Sequence, residues 1–274
     1  MTINCKGQLI DFSIPKVMGV LNITPDSFYD GGKYKDETSI LNQVEHMLAE
    51  GATFIDVGAY SSRPNAEYVS EDEELSRILP IVELILKRFP EALISIDTFR
   101  STVAKKCIET GATLINDISA GQLDENMMPT IAELQVPYIM MHMRGTPQTM
   151  QSLTDYEDLT KEVLFYFSER IRVARDLGIV DVIIDPGFGF AKTLEQNFEL
   201  LNQLELFKMI EKPLLAGVSR KSMIYKTLET SAQEALNGTS VLNTIALQKG
   251  ASILRVHDVK EAVECVKLVE ALNQ

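Results

Sequence analysis

Eight short apolar runs punctuate this chain, and each ends in a polar residue or a turn. They are Val17–Leu21 before Asn22, Phe54–Ile55 before Asp56, Leu93–Ile96 before Asp97, and Leu114–Ile115 before Asn116. Then come Tyr138–Met141 before His142, Val182–Ile184 before Asp185, Leu214–Ala216 before Gly217 and Ser219, and Ile253–Leu254 before Arg255. A strand covered on both faces reads as a continuous apolar run rather than an alternation. Helical patterns separate the runs. After Ser70, for example, Leu75, Ile78, Leu79, Val82, Ile85 and Leu86 form one stripe at helical spacing. Residues 158–177 and 258–272 read the same way. The pattern predicts an α/β fold, a single (βα)8 TIM barrel spanning residues 1–274. Its strands fall near 17–21, 53–57, 93–97, 113–116, 138–142, 181–185, 213–217 and 252–256. The segment 2–13 lies outside this count and predicts a short N-terminal hairpin closing the barrel bottom.

Punctuation supports the same layout. Gly51, Gly111, Gly178 and Gly250 each stand between a helical stretch and an apolar run, where a left-handed residue ends a helix at low cost. Ser70–Glu73, Thr193–Gln196 and Ser231–Glu234 match the capping box of a helix start. Helix-to-strand joins are short. The strand-to-helix joins at 22–37, 58–70 and 142–155 are long, and all three lie on the C-terminal face, where such barrels carry their chemistry.

The length, 274 residues, matches one barrel, and the 45% hydrophobic content supplies a sizeable core. The net charge of −13 excludes a general nucleic-acid surface and requires basic residues to be concentrated wherever an anionic substrate binds. Without a long apolar run the chain is expected to have no membrane span and no signal peptide. Three cysteines far apart in sequence (Cys5, Cys107, Cys265) fit a reducing cytoplasm.

The strand-end residues then acquire chemistry. Asp185, in Asp185-Pro186-Gly187-Phe188-Gly189-Phe190, offers a carboxylate to an amidine-like edge of a heterocycle. Asp97 and Asn116 end neighbouring strands and add an acceptor and an amide, which together suit a flat, nitrogen-rich ring. Asp56 is read as shaping the 58–70 loop. Ser219-Arg220-Lys221-Ser222 opens a helix after the seventh strand, a frequent phosphate position in barrels. With Arg63, Arg255 and His257 it forms a candidate anion cradle, Arg220 being equally well a surface residue. Asn22 is a candidate oxygen ligand for a hard cation, with Mg2+ bridging to a diphosphate. His142, flanked by Met140, Met141 and Met143, is read as support, and His46 as incidental. Neither an HExxH zinc motif, a nucleophile elbow nor a GxGxxG turn is present.

Taken in order, several segments resemble the dihydropteroate synthase family. They are Met18–Phe28, Asp97-Thr98, Ile115-Asn116-Asp117, Met141–Pro147, Asp185–Phe190, Ser219–Ser222 and Arg255-Val256-His257-Asp258. The resemblance covers nearly the whole chain. It implies a transferase joining (7,8-dihydropterin-6-yl)methyl diphosphate to 4-aminobenzoate, with Mg2+, in a homodimer. It implies that Asp97, Asn116, Met141, Asp185, Phe190 and Lys221 bind the pterin, and that Asn22, Arg63, Arg255 and His257 hold the diphosphate. Phe28, Ser62, Pro64, Phe190, Lys221 and Ser222 would shape the aminobenzoate site. Asp97, Lys221 and Arg63 would be catalytic. The second loop departs from the family pattern at Ala59, Tyr60, Ser62 and Asn65, where the family usually has glycine, glutamate, threonine and glycine. Serine keeps the hydroxyl, tyrosine removes a carboxylate, and asparagine stiffens the turn. Two rival readings share the pterin residues: a methyltetrahydrofolate–corrinoid methyltransferase and a non-catalytic pterin-binding paralogue. The basic cluster argues against the first, and the intact long loops argue against the second.

Overall fold

The computed structural model describes residues 1–23, 33–60 and 69–272. Thr2–Cys5 (β1) and Gln8–Asp11 (β2) pair antiparallel as a hairpin. Eight parallel strands follow: Lys16–Asn22 (β3), Phe54–Gly58 (β4), Leu93–Asp97 (β5), Leu114–Asp117 (β6), Tyr138–Met141 (β7), Val182–Asp185 (β8), Leu215–Ala216 (β9) and Ile253–Val256 (β10). Their order is β8-β7-β6-β5-β4-β3-β10-β9, and a parallel bridge between Ile184 and Leu214 brings the two ends together. The helices between them are Lys33–Ala49 (α1), Glu71–Arg88 (α2), Ser101–Thr110 (α3), Met127–Leu134 (α4), Leu159–Asp176 (α5), Leu194–Asn202 (α6), Ser222–Thr227 (α7), Leu236–Gln248 (α8) and Val259–Leu272 (α9).

Alternation along the strands divides the core. Val17, Leu21, Ile55, Val57, Ile94, Ile96, Ile184 and Leu254 face outward into one large apolar cluster with the helices. Met18, Phe54, Leu114, Ile139, Ile183, Leu215 and Ile253 face inward, and a second cluster joins them to Ile3, Cys5, Ile10 and Phe12 of the hairpin. The hairpin therefore plugs the N-terminal end of the barrel. Two residues further along the same inward parity stand Asp56, Asn116, Met141, Asp185, Gly217 and Arg255. The barrel is apolar below and charged above.

Two boundaries differ from expectation. The seventh barrel strand shrinks to Leu215–Ala216 because Pro213 has no N–H to donate, although its carbonyl accepts from Ile184 N at 3.0 Å. The Ser231–Glu234 pattern does not start a helix. Glu234 turns back to the hydroxyls of Thr230 (2.6 Å) and Ser231 (3.4 Å), and α8 begins at Leu236. The Thr193–Gln196 box is complete in both directions.

Candidate active site

The inward parity of the strands delivers polar side chains to the C-terminal mouth. Arg255 lies at its centre. Its Nε donates to Asp56 Oδ2 at 2.6 Å, and its Nη2 donates to Asp97 Oδ2 at 2.7 Å. Asn116 Nδ2 donates to the same Asp56 oxygen at 3.1 Å. Asp56 is fully buried, and its Oδ1 has no hydrogen-bond partner among the described residues. This corrects the reading of Asp56 as a residue shaping the second loop: its carboxylate is the hub joining Asn116 to Arg255. It also gives Arg255 a second duty, because the guanidinium expected at a diphosphate bridges two carboxylates.

Burial pushes the Asp97 carboxyl up to about 7, and the Asp56 carboxylate adds to the rise against the pull of Arg255. Asp185 sits across the mouth with Oδ1 accepting from Gly187 N at 2.8 Å. Burial raises its carboxyl, while Lys221, Arg255 and Lys192 hold it down. Lys221 donates to the Phe188 carbonyl and lies 5.0 Å from the centroid of the Phe190 ring. Burial lowers its ammonium to about 8, with Asp185 opposing the shift. Gly217 leaves room here: a Cβ would come within 3.8 Å of Lys221 Nζ and 3.9 Å of Arg255 Cβ. Met141 and Phe190 belong to a rim cluster with Ile118, Met143, Met150 and Ala191.

The structure thus brings together Asp97, Asn116, Asp185, Lys221 and Arg255, with Met141 and Phe190 as apolar wall. Asn22 ends β3 exposed, and Ser222 opens α7. His257 is exposed at the end of the eighth barrel strand, with Nδ1 3.1 Å from Ser219 Oγ. Phe28, Ser62, Arg63 and Pro64 lie outside the described residues. Arg220 is a clamp rather than a ligand: it grips Asp258 through Nε (2.8 Å) and Nη2 (2.7 Å), fastening the α7 loop to the start of α9. Among the described residues no group of three or more His, Cys, Asp or Glu is placed to hold a metal ion.

Tyr60, where the family pattern has a glutamate, packs edge-on against Phe99 with centroids 5.2 Å apart and accepts from Gln148 Nε2 at 3.0 Å. The Arg100 guanidinium carbon lies 5.4 Å from its ring centroid. Arg100 pairs with buried Glu74, whose other oxygen accepts from Thr98 Oγ1 at 2.7 Å. Sequence reasoning misses Glu74, which follows a capping box and looks like one more first-turn acid. It also misses Lys192, whose position just before a helix start suggests a solvated side chain.

The same architecture recurs in known proteins. Residues 18–257 match the family model described as pterin binding enzyme. The dihydropteroate synthase of Escherichia coli K12 is 44% identical over 99% of this chain and 96% of its own length. The Yersinia pestis dihydropteroate synthase, solved as a sulfonamide drug complex, superposes with a TM-score of 0.93 at 41% identity, covering 100% of this chain and 99% of that one. The Xanthomonas albilineans dihydropteroate synthase, solved with 4-aminobenzoic acid, gives a TM-score of 0.92 at 34% identity, covering 99% and 98%. These similarities favour the synthase over both rival readings. The chain belongs to the pterin-binding enzymes and, within them, to the dihydropteroate synthase family of transferases.

Proposed function

We propose that the mouth binds (7,8-dihydropterin-6-yl)methyl diphosphate by its pterin edge and condenses it with 4-aminobenzoate to 7,8-dihydropteroate and diphosphate. The observation that carries this reading is the convergence of Asp97, Asn116, Asp185 and Lys221 above a closed apolar floor. Asp185 accepts from the donor edge of the ring, Asn116 both donates and accepts, and Met141 and Phe190 flank the ring faces. In the reaction the C–O bond to diphosphate breaks and its electron pair leaves with the phosphate oxygen. The pterin-methyl cation that remains is stabilised by the Asp97 carboxylate. The aminobenzoate nitrogen supplies its lone pair to the methylene carbon and then loses a proton to solvent or diphosphate. The step requires no covalent enzyme nucleophile.

Asn22, Arg63, Arg255 and His257 are assigned to the diphosphate. Phe28, Ser62, Pro64, Phe190, Lys221 and Ser222 are assigned to the aminobenzoate. Arg63, with Asp97 and Lys221, completes the catalytic set. The family resemblance supports these roles. Asn22 offers a single carbonyl oxygen beside the mouth, which fits a Mg2+ ion ligated mainly by substrate phosphates rather than caged by protein. When bound, that ion neutralises charge on the departing diphosphate. We assign the chain to the cytoplasm and to a homodimer. Exposed Val241 on α8 and exposed Leu268 and Leu272 on the adjoining α9 support the dimer.

The test is formation of 7,8-dihydropteroate by purified protein supplied with both substrates and Mg2+. A folded preparation that forms none sinks the proposal.

A further inference from the structure

The turn after β8 is curled by three left-handed residues: Gly187 (φ 73°), Gly189 (φ 83°) and Ala191 (φ 49°). At Gly187 a Cβ would sit 2.1 Å from the His142 carbonyl oxygen, so the chain approaches β7 as closely as only glycine permits. Such a turn points its peptide groups in divergent directions, and buried peptide groups need partners. Side chains supply them. Asp185 takes Gly187 N, Asn197 Oδ1 takes Gly189 N at 2.6 Å, Lys221 serves Phe188 O, and Tyr156 Oη serves Ala191 O at 2.9 Å. Lys192 serves the two carbonyls that bracket the turn. Its Nζ lies 3.0 Å from Gly187 O and 2.9 Å from Phe190 O, and 3.0 Å from His142 Nδ1. Both side chains are buried, Lys192 at 9% and His142 at 3% exposure.

We propose that Lys192, seated on His142, is a positioning residue for the pterin half of the site. It ties the two ends of the Gly187–Phe190 turn together. It thereby fixes the Phe188 carbonyl that holds Lys221 and the angle at which Phe190 meets the ring. The assignment rests on the pterin reading of the mouth. Burial pushes the Lys192 ammonium down to about 7 and the His142 imidazolium well below its usual range. The clamp survives either protonation state. An ammonium donates to all three partners, whereas an amine donates to the two carbonyls and accepts from Nδ1–H.

The test compares wild type with Lys192→Met, His142→Leu and His142→Gln. The Kd for 6-hydroxymethylpterin is read by calorimetry, followed by kcat and the KM of each substrate. Lys192→Met is expected to weaken pterin binding and raise the KM for pterin diphosphate by about tenfold or more. The KM for 4-aminobenzoate should rise several-fold less, because Phe190 and Lys221 are only part of that site, and general loss of folded protein does not produce such a split. His142→Leu should show a smaller, pterin-specific loss, and His142→Gln, which keeps a polar partner for Nζ, should recover it. Unchanged pterin affinity in Lys192→Met overturns the proposal, as does a parallel shift of both KM values and kcat. If Lys192→Met does not fold, the His142 pair decides: equal pterin affinity in the Leu and Gln variants overturns it. A wild type that binds no pterin overturns the functional reading and this assignment together. A normal wild type with an unaltered Lys192→Met overturns this assignment alone.

Discussion

Replacing Arg255 by methionine removes the cation between Asp56 and Asp97 while keeping a chain of similar reach. The Asp56 side chain is fully buried, and those of Asp97 and Arg255 are 16% and 21% exposed. Removing one partner of a buried ion pair costs about 3–5 kcal/mol, because the remaining charge is left without compensation. Partial exposure of Arg255 places the cost in folding stability near the lower end, roughly 3 kcal/mol, read as a lowered denaturant midpoint. A second consequence is electrostatic. Arg255 opposes the burial and the Asp56 charge that raise the Asp97 carboxyl. Without it, that carboxyl rises above about 7 and is protonated at neutral pH. The assay is kcat/KM against pH for wild type, Arg255→Met and Arg255→Met/Asp56→Asn. The acid limb of the single variant should move to higher pH. The double variant should regain part of the lost stability, because the fully buried Asp56 charge that Arg255 compensates is gone. A single variant with an unmoved acid limb, and a defect confined to the KM of the diphosphate substrate, refutes the reasoning. Arg255 would then serve the diphosphate alone.

Wild-type kcat/KM should be bell-shaped, rising as Asp97 ionises near about 7 and falling as Lys221 loses its proton near about 8, as read from initial rates across pH. The same Asp97 shift has a stability consequence of fixed sign. Its folded carboxyl lies above the ordinary value of 3.8, so the folded state binds the extra proton, and this contribution is lost as pH rises through about 7. Asp97→Asn should flatten that part of a denaturant-midpoint profile. Glu74→Gln removes the buried carboxylate that pairs with the Arg100 guanidinium and should cost about 3–5 kcal/mol, visible as a Tm lowered by roughly 6–12 °C. Ile3→Ala, at 1% exposure in the plug, should cost about 2–5 kcal/mol in denaturant unfolding and leave both KM values unchanged, because the plug and the mouth lie at opposite ends of the barrel.

The strands are legible in the sequence because burial on both faces leaves a continuous apolar signature, and because their strand-end residues break it. Asp97, Asn116 and Asp185 can therefore be placed at the mouth from spacing alone. Asp56 cannot be read correctly this way, although it occupies the same inward level as Asn116 and Asp185. Its role is set by Arg255, 199 residues away, and no local pattern records that partner. Lys192 escapes notice for a related reason. A lysine just before a helix start ordinarily points to water, and only the left-handed turn folded back over His142 supplies its three partners. Ser231–Glu234 shows the opposite failure: a correct local motif whose glutamate accepts from the hydroxyls of Thr230 and Ser231 while the helix begins only at Leu236.

The proposed reaction breaks the C–O bond before the amine attacks, with Asp97 placed to stabilise the cation that this leaves. Positional isotope exchange tests it most directly. The enzyme is given Mg2+ and pterin-methyl diphosphate labelled with heavy oxygen in the bridging position, and 4-aminobenzoate is withheld. Label is expected to migrate into the non-bridging oxygens of the recovered substrate, because the cation and diphosphate form, rotate and recombine within the mouth. Label that stays in the bridge, in an enzyme that turns over normally once 4-aminobenzoate is added, would contradict it.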